Sequence, residues 1–266
     1  MPPLALKCIE SWKKFLPEYE LRMWDEDSFD TNSVPYVKEA YQSRKFAFVT
    51  DYVRLYAIYH EGGIYMDTDV EVLKTLDNLL TLPAFSGFES DKEIPTGIMA
   101  SEKEGKWAFE MLQYYTQQRH FILSDGSLDL TSNVLIISKL MSDNGFSLVN
   151  SYQVYKNCMH IFPKDYFCPK SRTGIITLTE NTYCIHHFAA SWHSKSELIQ
   201  RYFSGKYSAL LLLIFWSEAN GNYSDYSAFR KINSLLLYFL NLIYLCIRII
   251  IIFTIPQMTD LIFSFH

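Results

Sequence analysis

The sequence contains no Cys-x-x-Cys pair, no basic run and no internal repeat. Its five cysteines, at positions 8, 158, 168, 184 and 246, are odd in number and scattered. That usage reads as reduced cytosolic thiols rather than a disulfide framework or a zinc site. With no phosphate-neutralising stretch and a formal net charge of -5, the chain does not read as a nucleic-acid binder. The missing repeats and low-complexity linkers exclude a repeat architecture. The opening Met-Pro-Pro-Leu-Ala-Leu-Lys lacks the charged-then-apolar run of a secretory signal.

What is present is the composition of a globular protein. The 266 residues, 49% hydrophobic and 20% charged, are enough for one substantial α/β domain plus an appendage. Aromatic residues make up 16%, with 19 Tyr and 19 Phe. Such rings stack on sugars and bases, but they fill cores more often, and the core reading comes first. Near the C-terminus, residues 235–253 form an apolar stretch broken only by Asn241 and Arg248. Its length approaches the roughly 20 residues a helix needs to cross a bilayer core. Arg230 and Lys231 precede it and would hold the foregoing domain at the cytoplasmic face of the membrane. A buried helix or one lying on the membrane surface is the alternative, since Arg248 is costly at bilayer depth.

Residues 4–16 have helical spacing and stop at Pro17; residues 19–24 read as a short strand followed by an acidic turn. Helices are expected over 34–41 and 45–60, the second ended by Gly62-Gly63. Residues 64–66 form a short buried strand whose extended pattern continues through Val70-Glu71-Val72-Leu73. Further strands are expected over 83–88, 97–101, 154–162 and 183–188, and helices over 104–118 and 133–141. The alternation predicts a layered α/β domain over residues 1–205. An apolar helical, membrane-associated region over 206–266 follows it.

Two Asp-x-Asp pairs occur, Asp25/Asp27 and Asp67/Asp69, where chance alone predicts about one in typical compositions. Asp25 and Asp27 stand before a helix expected from Ser28, where capping explains them. Asp67 and Asp69 instead end the strand after the Gly-Gly stop. In extended backbone, residues i and i+2 project to one side, so both carboxylates can face one point. At the carboxyl end of a strand in an open α/β sheet, that point is where ligands bind. Two hard oxygen donors suit Mn²⁺ or Mg²⁺, which would also take up a diphosphate. Asp51 and Arg54 share one helix face. Arg54 could clamp a phosphate or sugar and Asp51 accept from sugar hydroxyls; a structural ion pair on a solvated face fits the spacing equally.

The run Lys45-Phe-Ala-Phe-Val-Thr-Asp51-Tyr-Val-Arg54, then Gly62-Gly63-Ile-Tyr-Met-Asp67-Thr-Asp69-Val, resembles the DXD-containing sugar transferases of glycosyltransferase family 32. That group includes bacterial capsular polysaccharide transferases and yeast mannosyltransferases. Residues 6–12 and 24–29 also look like the capsular members, and the resemblance extends to about residue 195. It implies a GT-A fold, a UDP- or GDP-sugar donor, a glycan or lipid-linked acceptor, a divalent metal and retention of configuration. By position, Asp51 and Arg54 match donor contacts, and Asp67 and Asp69 the metal and diphosphate site. The segment Ile185-His186-His187-Phe-Ala-Ala-Ser191-Trp192 resembles the closing motif of the family. There the resemblance implies His187 as a metal or diphosphate ligand and Trp192 as a wall of the donor pocket. Family members usually open with an Ile-Pro-Lys strand. Met1-Pro2-Pro3 leads directly into the following helix, so an open sheet edge and an incomplete base pocket are expected. Sugar transfer from a nucleotide sugar is the leading reading. A metal-assisted nucleotide-sugar hydrolase and an inactive donor-binding or scaffold relative are the alternatives.

Overall fold

A computed structural model describes residues 1–189 of the protein except Gln118 and Arg172. They lie in one compact unit, Met1–Ser194. Trp192, the expected boundary near 205 and the apolar stretch 235–253 lie outside the described residues. Among the described residues no helix is long and apolar enough to cross a membrane.

Helix α1 (Pro3–Phe15) starts with proline in its first turn, where the missing N–H has no intrahelical partner to lose, and carries Lys13 and Lys14 in its last. Helix α2 (Pro35–Gln42) starts the same way, and α3 (Phe46–His60) follows it. The expected strand over 19–24 is irregular backbone. A strand needs a ladder partner for its N–H and C=O groups, and among the described residues no strand pairs with this segment. No helix starts at Ser28 either. Asp25 caps one isolated turn, its side chain accepting from the Asp27 and Ser28 amides at 3.2 and 3.1 Å.

The strands are β1 (Gly63–Met66), β2 (Val70–Val72), β3 (Ala84–Gly87), β4 (Ile98–Ser101), β5 (Gln153–Tyr155), β6 (Met159–Phe162) and β7 (Cys184–His186). Helices α4 (Lys106–Thr116) and α5 (Asn133–Asp143) fall between β4 and β5, and the short α6 (Lys164–Phe167) follows β6. Five strands form a mixed sheet in the order β1-β4-β3-β6-β5, in which only β3 and β6 run parallel. No further strand borders β1 among the described residues. The single strand expected over 154–162 is a hairpin. Lys156 and Asn157 both take positive φ, the backbone that a tight two-strand turn demands.

The central strands β3, β4 and β6 are buried on both faces, and their period-2 alternation sorts residues between two cores. Met99, Ala84 and Met159 face the core shared with α2, α3, α4 and α5. Ile98, Ala100 and Phe85 face the other core, built with Val70, Val72, Cys184 and Phe167. On that second side β2 pairs with β7 in a separate two-stranded sheet. Helix α1 seals the free edge of β2. The Trp12 indole donates to the Val70 carbonyl at 2.7 Å, and Ser11 Oγ accepts from the Val72 amide at 2.9 Å.

Candidate active site

The extended run expected from residue 64 to 73 is broken at the Asp-x-Asp motif. β1 stops at Met66, the Val70 amide donates back to the Asp67 carbonyl at 3.0 Å, and the chain turns out of the large sheet into the small one. Asp67 and Asp69 thus sit in a turn joining two sheets, and the turn, rather than strand alternation, aims them at one place. Asp and Thr are residues that such turns favour. The Asp67 amide donates to the Gly97 carbonyl at 2.8 Å, which holds it to the large sheet. Asp69 belongs to the small one. Its carbonyl accepts from the His187 amide at 3.0 Å and its Oδ2 from the Ala189 amide at 2.7 Å.

Between the two carboxylates stands His186, the last residue of β7. Its Nε2 lies 3.4 Å from Asp69 Oδ1 and 3.8 Å from Asp67 Oδ2. One ligand atom from each of Asp67, Asp69 and His186 lies within 4.8 Å of the others, a set that could hold a metal ion. Two carboxylates and an imidazole suit Mn²⁺ better than the all-oxygen preference of Mg²⁺. Room for the set depends on Gly97, where a Cβ would stand 2.9 Å from Asp67 Oδ2 and 3.1 Å from the His186 ring.

His187, the histidine singled out in the sequence, points elsewhere. Its Nε2 is 2.8 Å from Glu71 Oε2, which Lys7 also engages at 2.8 Å. Alternation decides between the two. In the β2–β7 ladder Cys184 pairs with Val72 and His186 with Val70, so His186 shares the inward face and His187 takes the face of Glu71.

Arg54 and Asp51, one turn apart on α3, form an ion pair of 3.1 Å, and Arg54 reaches on to Asp67 at 3.4 Å. The guanidinium also lies 4.7 Å from the centre of the Tyr65 ring, and the Tyr65 hydroxyl donates to Asp67 Oδ1 at 2.6 Å. This face of α3 is buried, not solvated. Asp51, Arg54, Tyr65 and Asp67 form one chain of contacts leading to the histidine.

Burial shapes the charges. It pushes the Asp51 carboxyl up to about 6, against the pull of Arg54. Burial also works against the Asp69 charge, but His186 and the Ala189 amide outweigh it and hold that carboxyl below the usual range. For His186 burial acts downward, yet the bonds and charges of Asp69 and Asp67, with a contribution from Cys168, lift it to about 10. Sequence reasoning missed His186 and also Glu89, which follows the carboxyl end of β3. Burial pushes the Glu89 carboxyl up to about 7, and its Oε2 lies 3.7 Å from His186 Nδ1. Its position just past a strand end, as for Asp67, is the signal that could have found it.

Residues 2–85 match a family described as the glycosyltransferase sugar-binding region containing DXD motif. That match takes in Asp51, Arg54 and the Asp67-Thr68-Asp69 turn. Over 91 residues, 33% of the chain, it is 34% identical to inositol phosphoceramide mannosyltransferase 3 of Schizosaccharomyces pombe, covering 26% of that protein. Over 99 residues, 36% of the chain, it is 29% identical to a mannosyl phosphorylinositol ceramide synthase of Saccharomyces cerevisiae, covering 25% of it. A second synthase from that yeast is 27% identical over the same length, with the same shares covered. The chain thus spans about a quarter of the length of these relatives. No solved structure matches it. A mixed α/β layer with a DXD turn at a strand end fits a GT-A-like fold.

Proposed function

We propose that the protein is a metal-dependent glycosyltransferase that moves a hexose from a UDP- or GDP-sugar to a glycan or lipid-linked acceptor, with retention of configuration. Asp67, Asp69 and His186 would hold the divalent cation, Mn²⁺ or Mg²⁺, with His186 rather than the adjacent His187 as the histidine ligand. The observation that carries this reading is the convergence of those three groups at the DXD turn, inside the stretch that matches the sugar-transferase family. When bound, the cation supplies charge neutralisation for the leaving nucleoside diphosphate. Arg54 fixes Asp67 through their ion pair and presents a buried positive charge toward the donor. Asp51 orients Arg54 and accepts hydrogen bonds from sugar hydroxyls.

The curated relatives are named for mannosyl transfer to inositol phosphoceramide. That supports a mannosyl-type donor and an acceptor bearing a lipid, with capsule-type polysaccharide as the other acceptor class. Residues 235–253 would bring the catalytic unit to the cytoplasmic face of a membrane. The test is turnover with a panel of UDP- and GDP-sugars and Mn²⁺, with wild type compared to Asp69→Ala. Loss of at least about 100-fold in turnover is expected for the variant, as for removal of a charge-stabilising group. Equal turnover by both proteins overturns the site assignment.

A further inference from the structure

The two ring nitrogens of His186 face different carboxylates. Nε2 points at the Asp67 and Asp69 oxygens, while Glu89 Oε2 lies 3.7 Å from Nδ1. Nδ1 is buried and makes no hydrogen bond. A neutral imidazole that offers Nε2 to a cation must carry its proton on Nδ1. A buried N–H without an acceptor is destabilising, because the hydrogen bond it gives up to water is not replaced. The site is therefore incomplete at Nδ1, and the group placed to complete it is a carboxylate.

Around the ring stand Asp67, Asp69, Glu89, the Cys168 thiol and the Phe188 ring, whose centroid is 4.2 Å from that of His186. Among these, Glu89 is the strong acceptor on the Nδ1 side. Its backbone is anchored on both sides. The Glu89 amide donates to the Glu93 carbonyl at 2.8 Å, and Ile94 is tied through its amide and its carbonyl to Ser138 Oγ on α5, both at 2.9 Å. Gly97 leaves the approach open, since a Cβ there would stand 3.1 Å from Nδ1. A side-chain movement of about 1 Å turns the 3.7 Å separation into a hydrogen bond.

We infer that Glu89 is the positioning residue for His186: it accepts a hydrogen bond from Nδ1–H and thereby fixes the tautomer and ring orientation that aim Nε2 at a cation held by Asp67 and Asp69. The arrangement is the carboxylate–histidine–metal relay, in which the outer carboxylate sets ligand geometry and basicity. The inference rests on the metal site proposed above. Glu89 touches neither the cation nor the reacting atoms.

The experiment uses the full chain without any sugar donor. Mn²⁺ affinity is read from the free-ion electron paramagnetic resonance signal for wild type, Glu89→Ala, Glu89→Gln and Asp69→Ala. Glu89→Ala should weaken Mn²⁺ binding by about 10- to 100-fold. Glu89→Gln, which keeps an acceptor oxygen, should recover part of that loss, with the thermal midpoint of the metal-free protein not lowered. In the diamagnetic Zn²⁺ form, the long-range ¹H–¹⁵N spectrum of His186 should carry its proton on Nδ1. Wild-type affinity in Glu89→Ala overturns the inference and leaves the metal site standing. Absence of Mn²⁺ binding by wild type overturns the metal site and the inference together. Should Glu89→Ala fail to fold, Glu89→Gln decides: Mn²⁺ affinity equal to wild type in that variant sinks the idea.

Discussion

In the metal-free protein the His186 proton occupies the electrostatic place of a cation. Burial alone would remove it, but Asp69 and Asp67 hold it, so the group titrates at about 10 instead of 6.5. A metal ion must displace that proton, because Nε2 cannot serve both. The sign follows directly: affinity for Mn²⁺ should rise with pH, roughly tenfold per unit between about pH 7 and pH 9, and level off near the histidine's own pKa. Titrations at several pH values check this, and a flat profile would remove His186 from the ligand set. Stability without metal runs the other way. A raised histidine pKa gives stability that is full below 6.5 and lost as pH rises through about 10. Glu89, raised from 4.5 to about 7, loses its share over that lower window in the same direction.

Among the elements, the passage from α3 to β1 is the best-defined local feature, and it was legible in the sequence because its signals are local. The Gly-Gly stop, the three apolar residues and the Asp-x-Asp motif lie within eight positions, residues 62–69. Gly62 takes φ +76° and its amide closes onto the Ile58 carbonyl at 3.1 Å, so the glycine caps the helix. A Cβ there would also lie 2.9 Å from the Lys103 amide nitrogen. Gly62→Ala should cost about 2 kcal/mol, through the left-handed backbone and that contact. Urea unfolding should show a lower midpoint at unchanged slope, and an unchanged midpoint would mean the cap does not matter. What was not legible depends on distant partners. The segment over 19–24 has strand composition but no neighbour to pair with among the described residues. The choice of His186 over His187 is made by a ladder with β2, which lies far back along the chain. The exit of the chain from the large sheet after Met66 likewise follows from β7 offering β2 a second place to pair.

Across the whole described unit, two cores lie on opposite faces of one sheet, and the site sits where the large sheet gives way to the small one. The layered α/β class could be read from alternating helix and strand signals. The split into two sheets could not, since either sheet uses the same short apolar strands. The turn at Asp67 and Asp69 has a mechanical consequence. Asp67 is held to the five-stranded sheet by its backbone amide, which donates to the Gly97 carbonyl, while the Asp69 carboxylate accepts from the Ala189 amide in the loop that leaves β7. A cation shared by both would work as a clasp between two sheets that pack on one core. Mn²⁺ should therefore slow amide exchange at Val70–Val72 and Cys184–His186 more than at Met159–Phe162, which is remote from the turn. Uniform slowing across all three segments would mean the ion only stabilises the fold as a whole. Selective slowing would mean that the ion ties the small sheet to the large one at the Asp67–Asp69 turn.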